Sequence, residues 1–227
     1  MDFAAQKAIL KTKYGENKLQ YTAHLAALWL KKLYHRPFRN IYAYGKGNKI
    51  SYCPEGLKIY IWGNGNVIDI DPSVSFFQGK IEIGEGQSPT NNCIVKIGAK
   101  SSAAGIHISL REDNSTITIG KNCMFSWGIK IWNTDFHAIY SETTKECLNI
   151  GKAITIGDHV WLGQATYVLK NTTIAENSIV GAGAIVSKKF TEPNVIIAGI
   201  PARVVKRGIN WSSATPNNYL KDGSFSF

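Results

Sequence analysis

Three polar side chains at alternating positions in one short segment are the residues best suited to chemistry. Asn133, Asp135 and His137 occupy the segment from Trp132 to Tyr140. If the segment is extended, the three side chains point to one side, because side chains alternate along an extended chain. Asp135 could then accept a hydrogen bond from one imidazole nitrogen of His137 and leave the other nitrogen free to take a proton. The spacing therefore predicts a general base that is oriented by a carboxylate.

The other four histidines of the chain lack this combination. His24 and His35 fall on a predicted terminal helix. His107 lies among predicted strands without an acidic neighbour of this kind, and His159 takes an outward turn position in a repeat unit. His107, His137 and His159 are 30 and 22 residues apart, whereas a zinc site usually takes two of its histidines from nearby positions. We therefore expect no metal, and an ordinary surface role stays the alternative to catalysis for His137.

A six-residue repeat predicts the scaffold that carries this segment. The position after each large aliphatic residue is mostly glycine or small, and the position four residues on is mostly small or β-branched. Three such units form one coil of about 18 residues, whose aliphatic side chains stack on those of neighbouring coils. We predict an all-β fold, a parallel β-solenoid of roughly seven to nine coils over residues 50–205. The aliphatic residues that recur six apart are Ile150, Ile156, Leu162, Val168, Ile174, Val180 and Val186.

Short pairs of isoleucines, separated by turn residues, predict further strands upstream of this repeat. The repeat fails between Ile131 and Ile150, so residues 132–149 are predicted to form a loop that projects from the solenoid. Loops on a rigid scaffold are favoured places for function. The upstream pairs are Ile59/Ile61, Ile68/Ile70, Ile81/Ile83, Ile106/Ile108, Ile117/Ile119 and Ile129/Ile131.

Residues 3–36 are the one convincing helical stretch, and Pro37 ends it. The helix is expected to pack on the main body or, alternatively, to attach reversibly to a membrane surface through a basic amphipathic face. The chain is therefore divided into an N-terminal helical segment (1–45), a solenoid domain with its loop (46–207) and a C-terminal tail (208–227). The apolar residues at helical spacing are Leu25, Leu28, Trp29 and Leu33.

The formal net charge of +10 is concentrated at the two ends of the chain. Residues 1–40 carry 8 lysines and arginines against 2 acids, residues 41–187 carry 12 against 12, and residues 188–227 carry 6 against 2. A nucleic-acid-binding protein more often has a basic stripe on its folded body, so we expect no nucleic-acid partner. A localised anionic ligand or a membrane surface fits the distribution better.

Composition and cysteine spacing indicate a folded intracellular protein. The 227 residues are 44% hydrophobic and 19% charged, which is typical of a chain with a sizeable core. The sequence has no apolar run of 18 residues and no secretory signal pattern at its start. The four cysteines form no C-x-x-C pair, so we expect reduced thiols in the cytoplasm, with disulfides as the alternative.

The repeat units resemble those of the left-handed β-helix, or hexapeptide-repeat, acyltransferases over about residues 50–207. Three stretches, Ile156–Gly163, Val180–Val186 and Ala198–Val205, are similar to the maltose and galactoside O-acetyltransferases. The loop from Asn133 to Tyr140 more closely resembles the bacterial polysialic acid and capsule O-acetyltransferases. The hexapeptide period alone would be less specific, because solenoids without this activity share it.

The resemblance implies acetyl transfer from acetyl-coenzyme A to a hydroxyl of a bacterial surface polysaccharide, in a homotrimer with active sites between neighbouring subunits. His137 matches the general base of the family, and Trp161 matches the tryptophan beside the coenzyme and that histidine. An imidazole with the ordinary pKa of about 6.5 is neutral enough to act as a base at cytoplasmic pH. The Trp161 indole N–H or a backbone N–H is a candidate donor to the oxyanion.

The resemblance also assigns candidate contacts to both substrates. Small residues would let the pantetheine arm lie against the coils, and basic residues would meet the nucleotide end. Aromatic faces around the loop suit stacking on sugar rings, with core packing as the alternative. The candidate coenzyme contacts are Trp161, Gly163, Gln164, Ala182, Ser187, Lys188, Arg203 and Lys206. The candidate acceptor contacts are Trp127, Trp132, Asn133 and Tyr140.

Several alternatives stay open at this point. Ala138 follows His137, where the galactoside-type enzymes often have proline, so the loop conformation is not implied by the resemblance. The acceptor could instead be a small sugar, an amino sugar or an antibiotic. A non-enzymatic scaffold would explain the repeats but not the coincidence of the His137 loop, Trp161 and the segment Gly199–Arg203. A metal hydratase on the same solenoid is disfavoured by the histidine spacing.

Overall fold

The computed structural model describes residues 40–222, which form a solenoid of short strands. The chain divides into two units, residues 1–41 and residues 42–227, and the solenoid belongs to the second. The predicted helix of residues 3–36, and with it the predicted membrane contact, lies outside the described residues. Within residues 40–222 no helix is long and apolar enough to span a membrane.

Short strands follow one another along the described chain, and most of them pair in parallel with the strand one coil away. The antiparallel pair of named strands is the last one, β18 with β19. The described elements are β1 (Ile41–Tyr44), β2 (Lys49–Ile50), β3 (Leu57–Trp62), β4 (Val67–Ile70), β5 (Ser75–Ile83), β6 (Ile94–Ile97), β7 (Ser102–Leu110), β8 (Thr116–Ile119), β9 (Met124–Phe125), β10 (Ile129–Trp132), β11 (Ala153–Ile156), β12 (Trp161–Leu162), β13 (Tyr167–Leu169), β14 (Thr173–Ile174), β15 (Ile179–Val180), β16 (Ile185–Val186), β17 (Lys189–Phe190), β18 (Val195–Gly199), β19 (Ala202–Arg207) and α1 (Pro216–Asp222).

The strand pairings define three faces of the solenoid. Face one contains the first halves of β5 and β7 together with β9, β12, β15 and β18. Face two contains β1, β3, the second halves of β5 and β7, β10, β13 and β16. Face three contains β2, β4, β6, β8, β11, β14 and β17. Seven strands cross face three, which agrees with the predicted number of coils.

The core is built from columns of aliphatic side chains that point into the solenoid. The pairing register places one residue of each coil directly over its equivalent in the next, so the column is continuous. Each member of the column on face two is 0% exposed. Burial of such a side chain stabilises the fold by about 1.5–3 kcal/mol. This column consists of Ile59, Ile81, Ile108, Ile131, Val168 and Val186.

The predicted isoleucine pairs are confirmed as buried strand residues, and the six-residue repeat is confirmed from Ile156 onward. The prediction is wrong for Ile150, whose surface is 48% exposed. The chain at Ile150 is still leaving the loop, and strand β11 begins only at Ala153. The residue therefore has the repeat spacing but lies at the end of the loop, outside the strands whose side chains point into the core.

The edges between faces are tight turns. Gly163 has no room for a side chain, because an added Cβ would lie 2.7 Å from the backbone nitrogen of Ala182. Left-handed residues, most of them asparagines, turn the chain elsewhere, since asparagine tolerates that conformation better than most residues. The left-handed asparagines are Asn92, Asn114, Asn122, Asn171, Asn177 and Asn194.

All four cysteines lie within the described residues and are free thiols. Cys93 and Cys123 are buried, and burial raises the pKa of the Cys123 thiol to about 11. A thiol of that kind is almost entirely protonated at neutral pH and therefore inert. Cys147 is exposed on the loop that follows β10.

We expect Ile131→Ala to lower the free energy of unfolding by about 2–5 kcal/mol, because it leaves a cavity inside the column on face two. Urea denaturation followed by circular dichroism measures this change. Glu142→Ala, at an exposed position outside the strands, is the control and should shift the free energy of unfolding by less than about 0.5 kcal/mol. Equal shifts in both variants would contradict the column as the main source of stability.

Candidate functional site

The loop of residues 133–152 leaves the solenoid at the edge between face two and face three. Its first residues are tied to the coil below by hydrogen bonds. The Thr134 hydroxyl donates to Glu112 Oε1 at 2.9 Å, and the Phe136 backbone N–H donates to the Thr134 hydroxyl oxygen at 2.9 Å. The start of the loop is therefore anchored to the turn that follows β7.

The predicted extended conformation of the segment from Asn133 to His137 is wrong. Phe136 is left-handed, with a φ of 64°, so the alternation of side chains is broken there. The ring of Phe136 is held by the Arg111 guanidinium, 5.6 Å from its centroid, and by the edge of Trp132. His137 is exposed, whereas Asn133 is 0% exposed and faces the interior.

Asp135 contacts different partners from the predicted one. Its Oδ2 atom accepts hydrogen bonds from the Lys170 ammonium and from Asn149 Nδ2. The Lys170 ammonium is the main reason that the pKa of Asp135 is lowered, and the Asn149 amide lowers this pKa as well. The prediction that Asp135 orients the imidazole of His137 is therefore not met within the chain, where the carboxylate is an ion-pair partner of Lys170.

Asn149 ties the two arms of the loop together. Its Nδ2 atom donates to the backbone carbonyl of His137 at 2.9 Å, and its Oδ1 atom accepts from the backbone N–H of Ile139 at 2.8 Å. An antiparallel bridge between Tyr140 and Cys147 continues the closure toward the tip of the loop. Sequence reasoning missed Asn149, although it stands at the end of the insertion, just before the repeat resumes.

Glu112 is a half-buried carboxyl group at the base of the loop. Burial raises its pKa, and the hydrogen bond from Thr134 opposes this rise. Its Oε2 atom is buried without a hydrogen-bond partner. Among the described residues, every buried side-chain polar atom without such a partner lies at this base. These atoms are Ser109 Oγ, Arg111 Nε, Glu112 Oε2, Trp132 Nε1, Asn133 Oδ1 and Asn133 Nδ2.

The predicted acceptor contacts lie in different surroundings. Trp132 packs edge-on against His107, Phe136 and Tyr167, so it supports the loop from below. Tyr140 is exposed beside Cys147. Trp127 is also exposed, but it precedes β10 while the loop follows that strand, so the two lie at opposite ends of β10.

The predicted coenzyme contacts fall into separate groups. Trp161 lies on face one in β12, half-buried. Gly163, Gln164 and Ala182 lie together at the edge between face one and face two, where the Gly183 N–H donates to the Gln164 carbonyl at 2.8 Å. Trp127 lies on the same edge, one coil earlier, because the Ala165 N–H donates to its carbonyl.

The basic candidates lie elsewhere. Ser187 and Lys188 are exposed at the edge between face two and face three, next to β17. Arg203 and Lys206 are exposed on β19, the antiparallel strand that ends the sheet. Charged side chains on an edge strand also discourage pairing with further chains, so their position has a structural explanation as well.

Trp211 was not predicted, and it covers the neighbourhood of Trp161. Its ring stacks on His159 with centroids 4.1 Å apart, and its Nε1 atom donates to the His159 carbonyl at 2.9 Å. It also meets the Trp161 ring at 6.0 Å. His159 is consequently only 7% exposed. The start of the C-terminal tail is thus packed on the surface where β12 begins.

His137 and Trp161 belong to different sides of the solenoid. His137 projects between face two and face three, whereas Trp161 lies on face one, one coil further along. The edge that holds Gly163 and Ala182 is likewise separated from the loop by the width of face two. One chain therefore presents two halves of the predicted site on different edges. No group of three or more histidine, cysteine, aspartate and glutamate side chains within residues 40–222 is arranged to hold a metal ion.

The coils after the loop match a known repeat. Residues 153–188 match the family described as bacterial transferase hexapeptide (six repeats). These residues therefore form hexapeptide repeats, and the solenoid of the described residues is a left-handed parallel β-helix.

The chain is similar to the polysialic acid O-acetyltransferase of Neisseria meningitidis, with 43% identity over 132 residues, which are 58% of this chain and 61% of that protein. The matched part thus spans less than two thirds of the curated relative. Among solved structures it is similar to the polysialic acid O-acetyltransferase OatWY, with a TM-score of 0.53, 29% identity and coverage of 82% and 95% of the two chains. The polysialic-acid-specific acetyltransferase NeuO shares the fold, with a TM-score of 0.66, 24% identity and coverage of 80% and 92%.

We expect the free energy of unfolding of Glu112→Gln, taken relative to that of the wild type, to increase as the pH rises from 4 to 7. Because burial raises the pKa of Glu112, the folded state holds this proton more tightly than the unfolded chain does. The wild type therefore loses stability above the ordinary glutamate pKa of about 4.3, and the amide variant does not. Urea unfolding at both pH values measures the difference. Glu142→Gln at the exposed loop tip is the control, and an identical difference at both pH values would contradict the burial effect.

Proposed function

We propose that this protein transfers the acetyl group of acetyl-coenzyme A to a hydroxyl of a bacterial surface polysaccharide of the capsule or sialic acid type. The observation that carries the proposal is the long loop after β10, which interrupts the repeat and presents an exposed histidine, His137, on a hydrogen-bonded backbone. The names of similar proteins support it, because two of them are O-acetyltransferases of polysialic acid. The protein acts in the cytoplasm in this proposal.

The proposed reaction is a direct acyl transfer. The free imidazole nitrogen of His137 takes the proton of the acceptor hydroxyl while the hydroxyl oxygen attacks the thioester carbonyl carbon. The carbon–sulfur bond of the tetrahedral intermediate then breaks, and the imidazolium returns the proton to the departing sulfur of coenzyme A. A hydrogen-bond donor such as the Trp161 indole N–H or a backbone N–H stabilises the oxyanion. No covalent enzyme intermediate is required.

The coenzyme is proposed to lie along the edge formed by Gly163, Gln164 and Ala182, with Arg203 and Lys206 as further contacts. Ser187 and Lys188 lie at another edge of the solenoid, so they are proposed to reach the coenzyme from a neighbouring subunit. The small residues Gly163 and Ala182 support this, because they add little side-chain bulk at this edge. The acceptor is proposed to contact the exposed part of the loop around Tyr140.

The active unit is proposed to be a homotrimer with active sites between neighbouring subunits. The separation of His137 from Trp161 within one chain supports this arrangement, because a second subunit could bring its own face one to the loop. Cyclic assemblies repeat the same contact around the ring, so one such pairing would create equivalent sites at every interface.

We expect His137→Ala to lower kcat by about 10² or more, because it removes the general base. Thiol release from acetyl-coenzyme A is measured with capsular glycans, sialic acids, simple sugars, amino sugars and aminoglycosides as acceptors. Glu142→Ala at the exposed loop tip is the control and should retain activity. Release with small acceptors alone would replace the polysaccharide by one of those classes, and the absence of coenzyme binding would favour a scaffold.

We expect mixed oligomers of His137→Ala and Trp161→Ala subunits to regain activity that neither variant has alone. If each site combines His137 of one subunit with Trp161 of the next, a trimer that contains both variants has about one intact site in three. The two variants are co-expressed with different tags and purified through both. An inactive mixture would mean that both residues act within one chain, which would contradict the shared site.

A further inference from the structure

We propose that Asn149, held by Asp135 and Lys170, is a positioning residue that sets the place of the His137 imidazole through the main chain of the loop. This inference rests on the proposed function, since it assigns His137 the role of general base. It replaces the predicted direct contact between Asp135 and the imidazole with a different connection. The Asp135 carboxylate accepts a hydrogen bond from Asn149. The Asn149 amide group in turn holds the backbone on both sides of Ala138.

The side-chain amide of Asn149 uses its oxygen and its nitrogen on three partners from the first arm of the loop. The nitrogen donates to the His137 carbonyl and to Asp135 Oδ2, each at 2.9 Å. The oxygen accepts from the Ile139 N–H at 2.8 Å. A single side chain therefore holds the carbonyl of residue 137 and the N–H of residue 139. Because these groups flank the Cα atom of Ala138, the direction in which the chain leaves His137 is constrained.

Lys170 connects the hydrogen bonds of Asn149 and Asp135 to the rigid solenoid. Strand β13 pairs with β10, and Leu169 is the register partner of Trp132. Lys170 therefore follows β13 at the position where the loop follows β10, one coil away, and its ammonium reaches Asp135. The connection runs from the coil through Lys170 and Asp135 to Asn149, and from Asn149 to the backbone of His137.

The same geometry indicates that Asp135 positions the loop and does not assist the His137 imidazole by a direct contact. The ion pair with Lys170 offsets the charge of Asp135, and the Oδ2 atom of this carboxylate is already shared by two donors. A carboxylate that oriented the imidazole would need an oxygen directed at His137. Loss of the Asn149 hydrogen bonds should therefore lower the fraction of correctly placed imidazole and leave the pH midpoint of kcat/KM unchanged.

The first test compares kcat, KM and the pH profile of Asn149→Ala with those of the wild type. We expect kcat to fall about 10- to 100-fold, because a displacement of about 1 Å in a catalytic group can cost about 10² in rate. The KM for acetyl-coenzyme A and the pH midpoint of kcat/KM should stay unchanged. Asn217→Ala, the same substitution on exposed α1, is the matched control and should keep the wild-type kcat.

The second test addresses the connection to the coil. Lys170→Met should lower kcat to a similar extent, and Lys170→Arg should retain most of it, because arginine can still pair with Asp135. Lys152→Met, an exposed lysine at the end of the loop, is the control. The double variant Asn149→Ala/Lys170→Met should be no slower than Asn149→Ala alone, since residues that act through one connection are not additive.

Three results would overturn the proposal. One is a kcat of Asn149→Ala within twofold of the wild type, and another is additive losses in the double variant. The third is a shifted pH midpoint of kcat/KM in Asn149→Ala, which leaves both charges in place; this shift would return Asp135 to the imidazole. Hydrogen exchange of the loop peptide, measured by mass spectrometry, separates this failure from that of the proposed function. Faster exchange in Asn149→Ala with unchanged kcat overturns the positioning role alone, whereas a wild type that acetylates no acceptor overturns both.

Discussion

The register between coils is the constraint on which the rest of the structure depends. Each coil hydrogen-bonds in parallel to the next, and the aliphatic column that includes Ile108, Ile131 and Val168 forms only if equivalent residues lie directly over one another. A shift by one residue would turn this column toward solvent, because side chains alternate along a strand. The position of an outward side chain therefore follows from its place in the repeat. Lys170 is beside the loop for this reason, although 35 residues separate it from Asp135.

A solenoid held in this way tolerates an insertion at an edge between faces, where the chain already turns. The insertion costs free energy at the base of the loop, because Thr134, Glu112 and neighbouring polar groups are partly or fully removed from water there. Buried polar groups are expensive unless they are paired. Several of these atoms have no partner among the described residues, so this base is the least satisfied part of the described solenoid. Above it, the loop is held by hydrogen bonds and ring contacts instead of by an aliphatic column.

The triangular cross-section also separates groups that the proposed chemistry needs side by side. The loop leaves one edge, the small residues around Gly163 line another, and Trp161 lies on the face beyond it. Trp211 adds a contact from the C-terminal tail, which stacks on His159 and reaches Trp161. These groups cannot meet within one solenoid, because every coil has the same triangular cross-section and keeps them on different sides. An assembly of several solenoids is the arrangement in which such parts can meet, and this is the physical basis for the proposed shared site.

The sequence by itself determined the solenoid, the buried isoleucine pairs and the interruption that carries His137, because a repeat of period six is visible without any knowledge of contacts. It also determined which segment is worth testing for catalysis. The tertiary structure decided which group pairs with Asp135, the left-handed turn at Phe136, the exposure of Ile150 and the packing of Trp211. These features depend on contacts between residues far apart in the chain or on local crowding by neighbouring rings. Spacing along a sequence reports periodic burial well, but it carries no information about which side chain of the next coil reaches an irregular loop.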